Sequence, residues 1–139
     1  MAQPILVPML ALILWTFVIW LWMYATRIPA MRAAGIDPAK IKSKGDLDVL
    51  PQKVRQVADN YNHLHEQPVI FYALVTWCVL GGAADATNVA LAWAYVGARV
   101  IHSFIQCTIN FVPARFVVFS ISSIILLVIA LRCLPLALG

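Results

Sequence analysis

Long apolar stretches separated by polar segments run through the chain. Residues 4–26 carry no charged side chain, and residues 67–84 form a second uncharged stretch. The apolar residues follow one another without the alternation of period two that is typical of a half-buried strand, which favours helices. The pattern predicts four helices, over about residues 4–26, 51–80, 87–110 and 113–136, and one long polar loop over about residues 27–50.

The composition is that of a chain whose surface lies mostly in lipid. Hydrophobic residues make up 63% of the 139 residues and charged residues only 12%, against about 25% charged in an average soluble domain. One crossing of a hydrocarbon core takes about 20 helical residues. Four crossings and one loop therefore use the whole length. The sequence predicts a single domain over residues 1–139, an all-α integral membrane four-helix bundle.

The distribution of charge predicts an orientation in the membrane. The formal net charge is +4, but the basic residues lie between apolar segments and alternate with acidic ones, which is typical of membrane topology and not of nucleic-acid binding. Lys and Arg in the loop over residues 27–50, together with Arg115, place those connections in the cytoplasm by the positive-inside rule. Both termini then lie on the non-cytoplasmic side, where Arg132 is expected to extend toward the interface.

Two further features predict that the first apolar segment is not cleaved and that the cysteines do not bind a metal. The first apolar segment has no basic region before it and no small-residue cleavage site, so we expect it to remain as a helix. The cysteines lie in or beside apolar segments, without the spacing of metal ligands, and are expected to be packing residues; they are Cys78, Cys107 and Cys133.

A stripe of polar residues follows one face of the second predicted helix. Its members are spaced by four, three and four residues, which places them on one helical face. A solvated face of a helix that projects into the cytoplasm would show the same pattern. Glu66 directly precedes the apolar stretch, however, and a carboxylate at the membrane interface needs a partner. The stripe consists of Arg55, Asp59, Asn62 and Glu66.

The third predicted helix carries a matching stripe of Arg99, His102, Gln106 and Asn110. A guanidinium inside an apolar helix costs at least about 2.5 kcal/mol on insertion scales, so Arg99 is expected to face the protein interior and to pair with another group. Glu66 is the natural candidate, because successive helices with short turns are antiparallel and both stripes occupy their cytoplasmic halves. A buried Arg99–Glu66 pair that only fixes helix packing remains the alternative.

Arg115 follows Pro113 at the start of the fourth predicted helix. Its ordinary role would be a cationic anchor at the interface. Arg55 and Arg99 are predicted near the same membrane face, however. Three guanidiniums suit a ligand with carboxylates, which they bind bidentately, or a thiol whose pKa is lowered by nearby cations.

These residues resemble the MAPEG family, the membrane-associated proteins of eicosanoid and glutathione metabolism. The segment "RQVADNYNHLHEQPVIFYAL" is similar to the Arg, Asn, Glu and Pro pattern that opens the second helix of the family. The segment "RVIHSFIQCTINFVPAR" is similar to the Arg-x-x-His of its third helix and the Pro-x-Arg of its fourth. With the four helices and the long first loop, the resemblance covers nearly the whole chain.

The resemblance implies a homotrimer that binds glutathione, as co-substrate, between neighbouring subunits near the cytoplasmic half. A lipophilic substrate would reach the thiol from the bilayer. The glutathione peptide would be held by Arg55, Asn62 and Glu66, and Glu66 would also pair with Arg99. His102 would line the cleft together with Gln106. Arg115 would be the catalytic residue that stabilises the thiolate.

Three departures from the family pattern leave the activity open. Gln106 replaces a tyrosine that is common in the catalytic branches, and Phe116 replaces a hydroxyl-bearing residue of some members. The spacing from Asn62 to Glu66 is four residues, where the eicosanoid enzymes usually have three. Either Asn62 or His63 can therefore align with the family asparagine. These differences indicate a divergent bacterial-type branch, expected in the inner membrane.

Two function classes follow from the sequence. The first is a membrane glutathione transferase or peroxidase that acts on lipophilic electrophiles through an Arg-stabilised thiolate. The second is a non-enzymatic membrane scaffold, or a protein that binds an anionic lipid or metabolite, on the same fold. A transporter is disfavoured because both polar stripes are confined to one half of the bilayer.

Overall fold

The computed structural model describes residues 3–139. These residues form five α-helices and contain no strand, so the predicted all-α class is confirmed. Two 3-10 turns, Pro38–Lys40 and Lys44–Leu47, lie in the polar loop. The helices are α1 (Leu6–Ala33), α2 (Gln52–His63), α3 (Pro68–Leu80), α4 (Ala86–Cys107) and α5 (Val112–Leu138).

The first helix continues beyond its predicted end at residue 26. Arg27 lies inside α1, because a cationic residue marks an interface without ending a helix. The helix ends where Gly35 adopts a φ of +67°. The amides of Gly35 and Ile36 then donate to the carbonyls of Arg32 and Met31, the pattern of a Schellman cap.

The predicted continuous helix over residues 51–80 is wrong, because the structure divides it into α2 and α3. Pro68 begins α3 after a turn over residues 64–67. A proline has no amide to donate and its ring clashes with the carbonyl four residues earlier, so an α-helix cannot pass through it undisturbed. The turn gives α2 and α3 separate axes, and residues on either side of it need not share a face.

The last two helices are close to their predicted bounds. Between α4 and α5 the chain reverses at Asn110, which has a φ of +50°. The backbone amide of Asn110 donates to the carbonyl of Ile105. Asparagine is one of the few residues other than glycine that adopt this left-handed conformation. Pro113 then occupies the first turn of α5, where its missing amide leaves no hydrogen bond unmade.

Helix α4 lies at the centre of the fold and packs against α1, α2, α3 and α5. The Tyr95 ring stacks on Phe71 of α3 with centroids 4.6 Å apart. The indole of Trp15 on α1 donates to the hydroxyl of Ser103 across 3.0 Å. Cys78 of α3 and Cys133 of α5 are buried, with their sulfur atoms 3.6 Å apart. These contacts join α4 to α1 and α3, and α3 to α5.

The outer helices present apolar side chains to the surroundings. By length and hydropathy, α1 and α5 are long and apolar enough to cross a bilayer. Phe17 and Leu21 on α1 and Leu127 on α5 are each more than half exposed. Apolar surface of this extent is typical of contact with lipid or with another protein.

Arg132 near the end of α5 is paired with the turn before α4. Its guanidinium lies 2.8 Å from the carboxylate of Asp85 and also donates to the side-chain oxygen of Asn88. Asp85 is the N-cap of α4. The Asn88 backbone amide, and after it the Arg132 guanidinium, hold the pKa of Asp85 below its usual value.

We expect Asp85→Asn to lower the melting temperature near pH 7, with a difference that shrinks as the pH falls below about 4. A depressed pKa in the folded state stabilises the fold above the unfolded-state pKa, and this contribution is lost as the pH falls through the folded-state value. Asparagine keeps the N-cap acceptor, so the change removes only the charge. Melting temperatures in detergent at several pH values measure the effect.

Arg132→Gln provides the matched control for this experiment. It should cause a larger loss near neutral pH, because it also removes the hydrogen bond to Asn88. The two changes together should cost less than the sum of their separate effects. Equal effects of Asp85→Asn at pH 7 and pH 3 would contradict the assignment.

Candidate functional site

A cavity of about 350 Å³ opens between α4, the start of α5 and the turn between α2 and α3. One side of the cavity is polar. The other is formed by apolar residues of α5, of which Phe116 is more than two-thirds exposed. The cavity is lined by His63, Glu66, Gln67, Arg99, His102, Val112, Arg115, Phe116 and Phe119.

Arg99 is the most deeply buried cation of this cavity, with 1% of its surface exposed. Its burial was predicted from the sequence and is confirmed. The atoms Nε and Nη1 are buried and have no hydrogen-bond partner among residues 3–139. A buried cation without a partner is costly, so this guanidinium is suited to bind an anion that enters the cavity.

The predicted ion pair between Arg99 and Glu66 does not form within this chain. Among the described residues there is one ion pair, and it joins Arg132 to Asp85. Glu66 is exposed. The reason is the break before Pro68. Glu66 lies in the turn over residues 64–67 and not on the face of a helix that continues toward Arg99.

Two histidines and a glutamine form the wall of the cavity near α2. His102 on α4 is buried, and no described residue forms a hydrogen bond with its Nδ1. The ring of His63 lies 6.3 Å from the ring of His102. The Nδ1 atom of His63 lies 3.1 Å from Oε1 of Gln106, and Gln106 is itself 1% exposed.

Arg115 reaches the cavity from the first turn of α5. Its Nη1 donates to the side-chain oxygen of Asn110 across 2.7 Å. The left-handed backbone at Asn110 is therefore part of what orients this guanidinium. Its Nε is buried and has no hydrogen-bond partner in the part of the chain that the structure describes. Arg99 and Arg115 thus supply two cationic groups with unmade hydrogen bonds to one cavity.

A different cavity holds Arg55 and Asn62, although the sequence predicted them at one site with Arg99. This smaller space, of about 110 Å³, lies between α2, α1 and the polar loop. Arg55 donates from Nε to the carbonyl of Leu50 at 3.1 Å. The spacing of four, three and four residues does bring Arg55, Asp59 and Asn62 together, as predicted. The lining consists of Arg27, Lys44, Leu47, Asp48, Arg55, Ala58, Asp59 and Asn62.

The predicted site residues are therefore divided between two cavities, which we call the large and the small cavity. The large cavity holds Glu66, Arg99, His102 and Arg115, with Gln106 behind its wall. The small cavity holds the stripe of α2 that precedes the turn. Both contain guanidiniums and hydrogen-bond donors that can bind carboxylates.

Sequence reasoning missed Gln67 and the contacts that fix it. Its amide donates to the Ser123 hydroxyl on α5 across 2.6 Å, and its carbonyl oxygen accepts from Tyr95 on α4 across 3.3 Å. Gln67 thereby joins the turn to both helices that form the cavity. Its position between Glu66 and Pro68 was the available signal.

A third cavity, of about 420 Å³ and therefore larger than either of these two, lies between α1 and α3 and is mostly apolar. Aromatic residues of three helices line it, among them Phe17, Trp20, Tyr61 and Tyr72. Because it lacks the cations of the other two cavities, we do not count it in the candidate anion site.

The comparison with known proteins agrees with the resemblance seen in the sequence. The family model described as the MAPEG family matches residues 5–135, nearly the whole chain. The searches of the curated proteins and of the solved structures found no match to the chain. The family is membrane-bound, and its members include glutathione-related transferases and other enzymes. With its all-helical fold and two apolar helices long enough to span a bilayer, the chain belongs to the MAPEG family.

Proposed function

We propose that the protein is a membrane glutathione transferase or peroxidase. The observation that carries the proposal is the large cavity, where Arg99 and Arg115 present buried, unpartnered guanidinium nitrogens opposite an apolar wall. Glutathione offers carboxylates and a thiol to such cations, and an electrophile dissolved in lipid can approach along the exposed side of α5.

The reaction follows from activation of the thiol. Cations near a thiol lower its pKa and raise the fraction of nucleophilic thiolate at neutral pH. In a transfer reaction the thiolate forms a carbon–sulfur bond and the leaving group departs with its electron pair. In hydroperoxide reduction, two glutathiones lose two electrons and two protons to form the disulfide, and the hydroperoxide becomes an alcohol and water.

A homotrimer would complete the site by bringing the small cavity of one subunit to the large cavity of its neighbour. The division of Arg55 and Asn62 from Arg99 and Arg115 within one chain supports this proposal. Each half has donors for one part of a peptide carrying two carboxylates. The proposed roles are therefore peptide binding by Arg55 and Asn62, and thiolate stabilisation by Arg115.

The proposed membrane arrangement has four crossings in the bacterial inner membrane, with both termini outside the cytoplasm. In this arrangement α3, which has 13 residues, crosses together with the turn before it, because 13 helical residues extend only about 20 Å. The positive-inside rule supports cytoplasmic placement of the polar loop and of Arg115.

One observation favours a scaffold that binds glutathione without turnover. Gln106 is buried at the position where a tyrosine is common in the catalytic branches of the family. A carboxamide cannot form a phenolate or donate an acidic proton. On this alternative the two arginines bind an anionic ligand and no electrophile reacts.

Purified protein in detergent should bind glutathione in equilibrium titration and conjugate a generic aromatic electrophile. A glutathione analogue with methyl in place of the thiol is the control, because it should bind without giving product. Binding of both compounds without turnover would move the conclusion to the scaffold. Failure of both to bind would refute the proposed function.

A further inference from the structure

The proposed role of Arg115 leaves a proton unaccounted for. Arginine stabilises a thiolate but cannot take the thiol proton, because a guanidinium stays protonated in proteins. The large cavity contains two imidazoles, on His63 at the end of α2 and His102 on α4. Neutral imidazole is the side chain best suited to accept a proton near neutral pH.

The contact with Gln106 distinguishes His63 from His102. A side-chain carbonyl oxygen only accepts hydrogen bonds, so the 3.1 Å contact with Gln106 Oε1 assigns the proton of a neutral His63 ring to Nδ1. The lone pair then belongs to Nε2. His102 has no such partner at Nδ1 among the residues described and is more deeply buried.

We propose that His63 is the general base that accepts the thiol proton of glutathione at Nε2, and that Gln106 is a positioning residue that fixes the tautomer. The inference rests on the proposed function. Gln106 then has a role although its side chain has no acidic proton, because it orients a base on α2.

The step balances without an added reagent. The sulfur–hydrogen bond breaks and its electron pair stays on sulfur. The proton forms a new bond to Nε2 of His63, giving an imidazolium that loses a proton to water through the open cavity. Nothing is oxidised or reduced.

The charges around His63 are suited to this transfer. Arg99 and His102 face the cavity from α4, Arg115 faces it from α5, and Glu66 lies three residues further along the turn. The cations favour the thiolate over the neutral thiol. The Glu66 carboxylate, which lines the cavity and is exposed, can favour passage of the proton to water.

The test is the rate of thiolate formation after rapid mixing with glutathione, followed by ultraviolet absorbance. His63→Ala should slow this step by at least about tenfold, since a general base typically contributes about 10²- to 10⁴-fold. Affinity for the analogue without a thiol should change less than about threefold. Added imidazole should restore part of the rate. His65→Ala is the matched control, because this neighbouring histidine is exposed and does not line the cavity.

Gln106 is tested by two variants with opposite expectations. Gln106→Glu keeps an acceptor for His63 Nδ1 and should retain most of the rate, whereas Gln106→Leu removes the acceptor and should slow thiolate formation. A purely structural role would not show this difference between variants with equal melting temperatures.

The outcomes separate this inference from the proposed function. If the wild type forms thiolate and His63→Ala forms it equally fast, the general-base role is wrong and the proposed function stands. If the wild type binds no glutathione or forms no thiolate, both are overturned.

Discussion

Replacing Arg99 with leucine is expected to abolish measurable glutathione binding without lowering the free energy of unfolding. The guanidinium is buried, but within the described part of the chain it forms no ion pair, and its Nε and Nη1 have no hydrogen-bond partner there. Its removal therefore leaves no carboxylate stranded and relieves the cost of an unpaired buried charge. Removing one member of a buried charge pair in a complex costs about 2–5 kcal/mol, or roughly 30- to several thousand-fold in affinity.

Two measurements on the same sample decide this prediction. Equilibrium titration gives the affinity, and denaturant or thermal unfolding in detergent gives the stability. Arg99→Lys is the control that keeps the charge and loses the planar donor arrangement, so it should retain part of the affinity. A loss of about 3–5 kcal/mol of stability in Arg99→Leu would show that the cation is paired inside the folded protein, as first predicted with Glu66.

Replacing Arg115 with alanine is expected to affect the chemistry more than the binding. Asn110 orients this guanidinium toward the large cavity, where it is proposed to stabilise the thiolate. Each unit of raised thiol pKa is about 1.4 kcal/mol, so the thiolate fraction at pH 7 should fall about tenfold or more. Turnover should fall in proportion. Glutathione affinity should stay within a few-fold.

Two other arginines provide the comparison. Arg55→Ala should weaken binding and leave the pKa of the bound thiol nearly unchanged, because Arg55 lies in the small cavity. Arg132→Ala removes a cation from the same helix as Arg115 but outside both cavities, and should change neither property. If Arg115→Ala and Arg55→Ala lose affinity equally and the wild type shows no bound thiolate, the catalytic assignment is wrong.

The sequence predicted the helices well where hydrophobicity alone decides them. The uncharged stretch over residues 4–26 marked α1, and the cost of an isolated guanidinium in an apolar helix correctly predicted that Arg99 is buried. The residues that share a face of α2 were also grouped correctly, since their spacing depends only on helical geometry. These inferences needed only local periodicity and the cost of burying charge.

The parts that could not be predicted depend on how elements meet in space. Pro68 was present in the sequence, but a proline can kink a helix, begin one or end one, and only packing decides which. Here it begins α3, so Glu66 lies in an exposed turn, where it lines the same cavity as Arg99 without forming an ion pair with it. The contact between His63 and Gln106, 43 residues apart, arises from tertiary packing and left no periodic signal.

The turn before Pro68 has a consequence for mixed populations of the protein. It separates the α2 stripe from the large cavity, so in the proposed trimer every subunit contributes to a different site on each of its two sides. A single subunit defective in both cavities would then inactivate both interfaces that it forms, including sites whose other half is intact. A minority of damaged chains would lower activity out of proportion to its share, so a defective copy expressed beside the normal one would act as a dominant inhibitor.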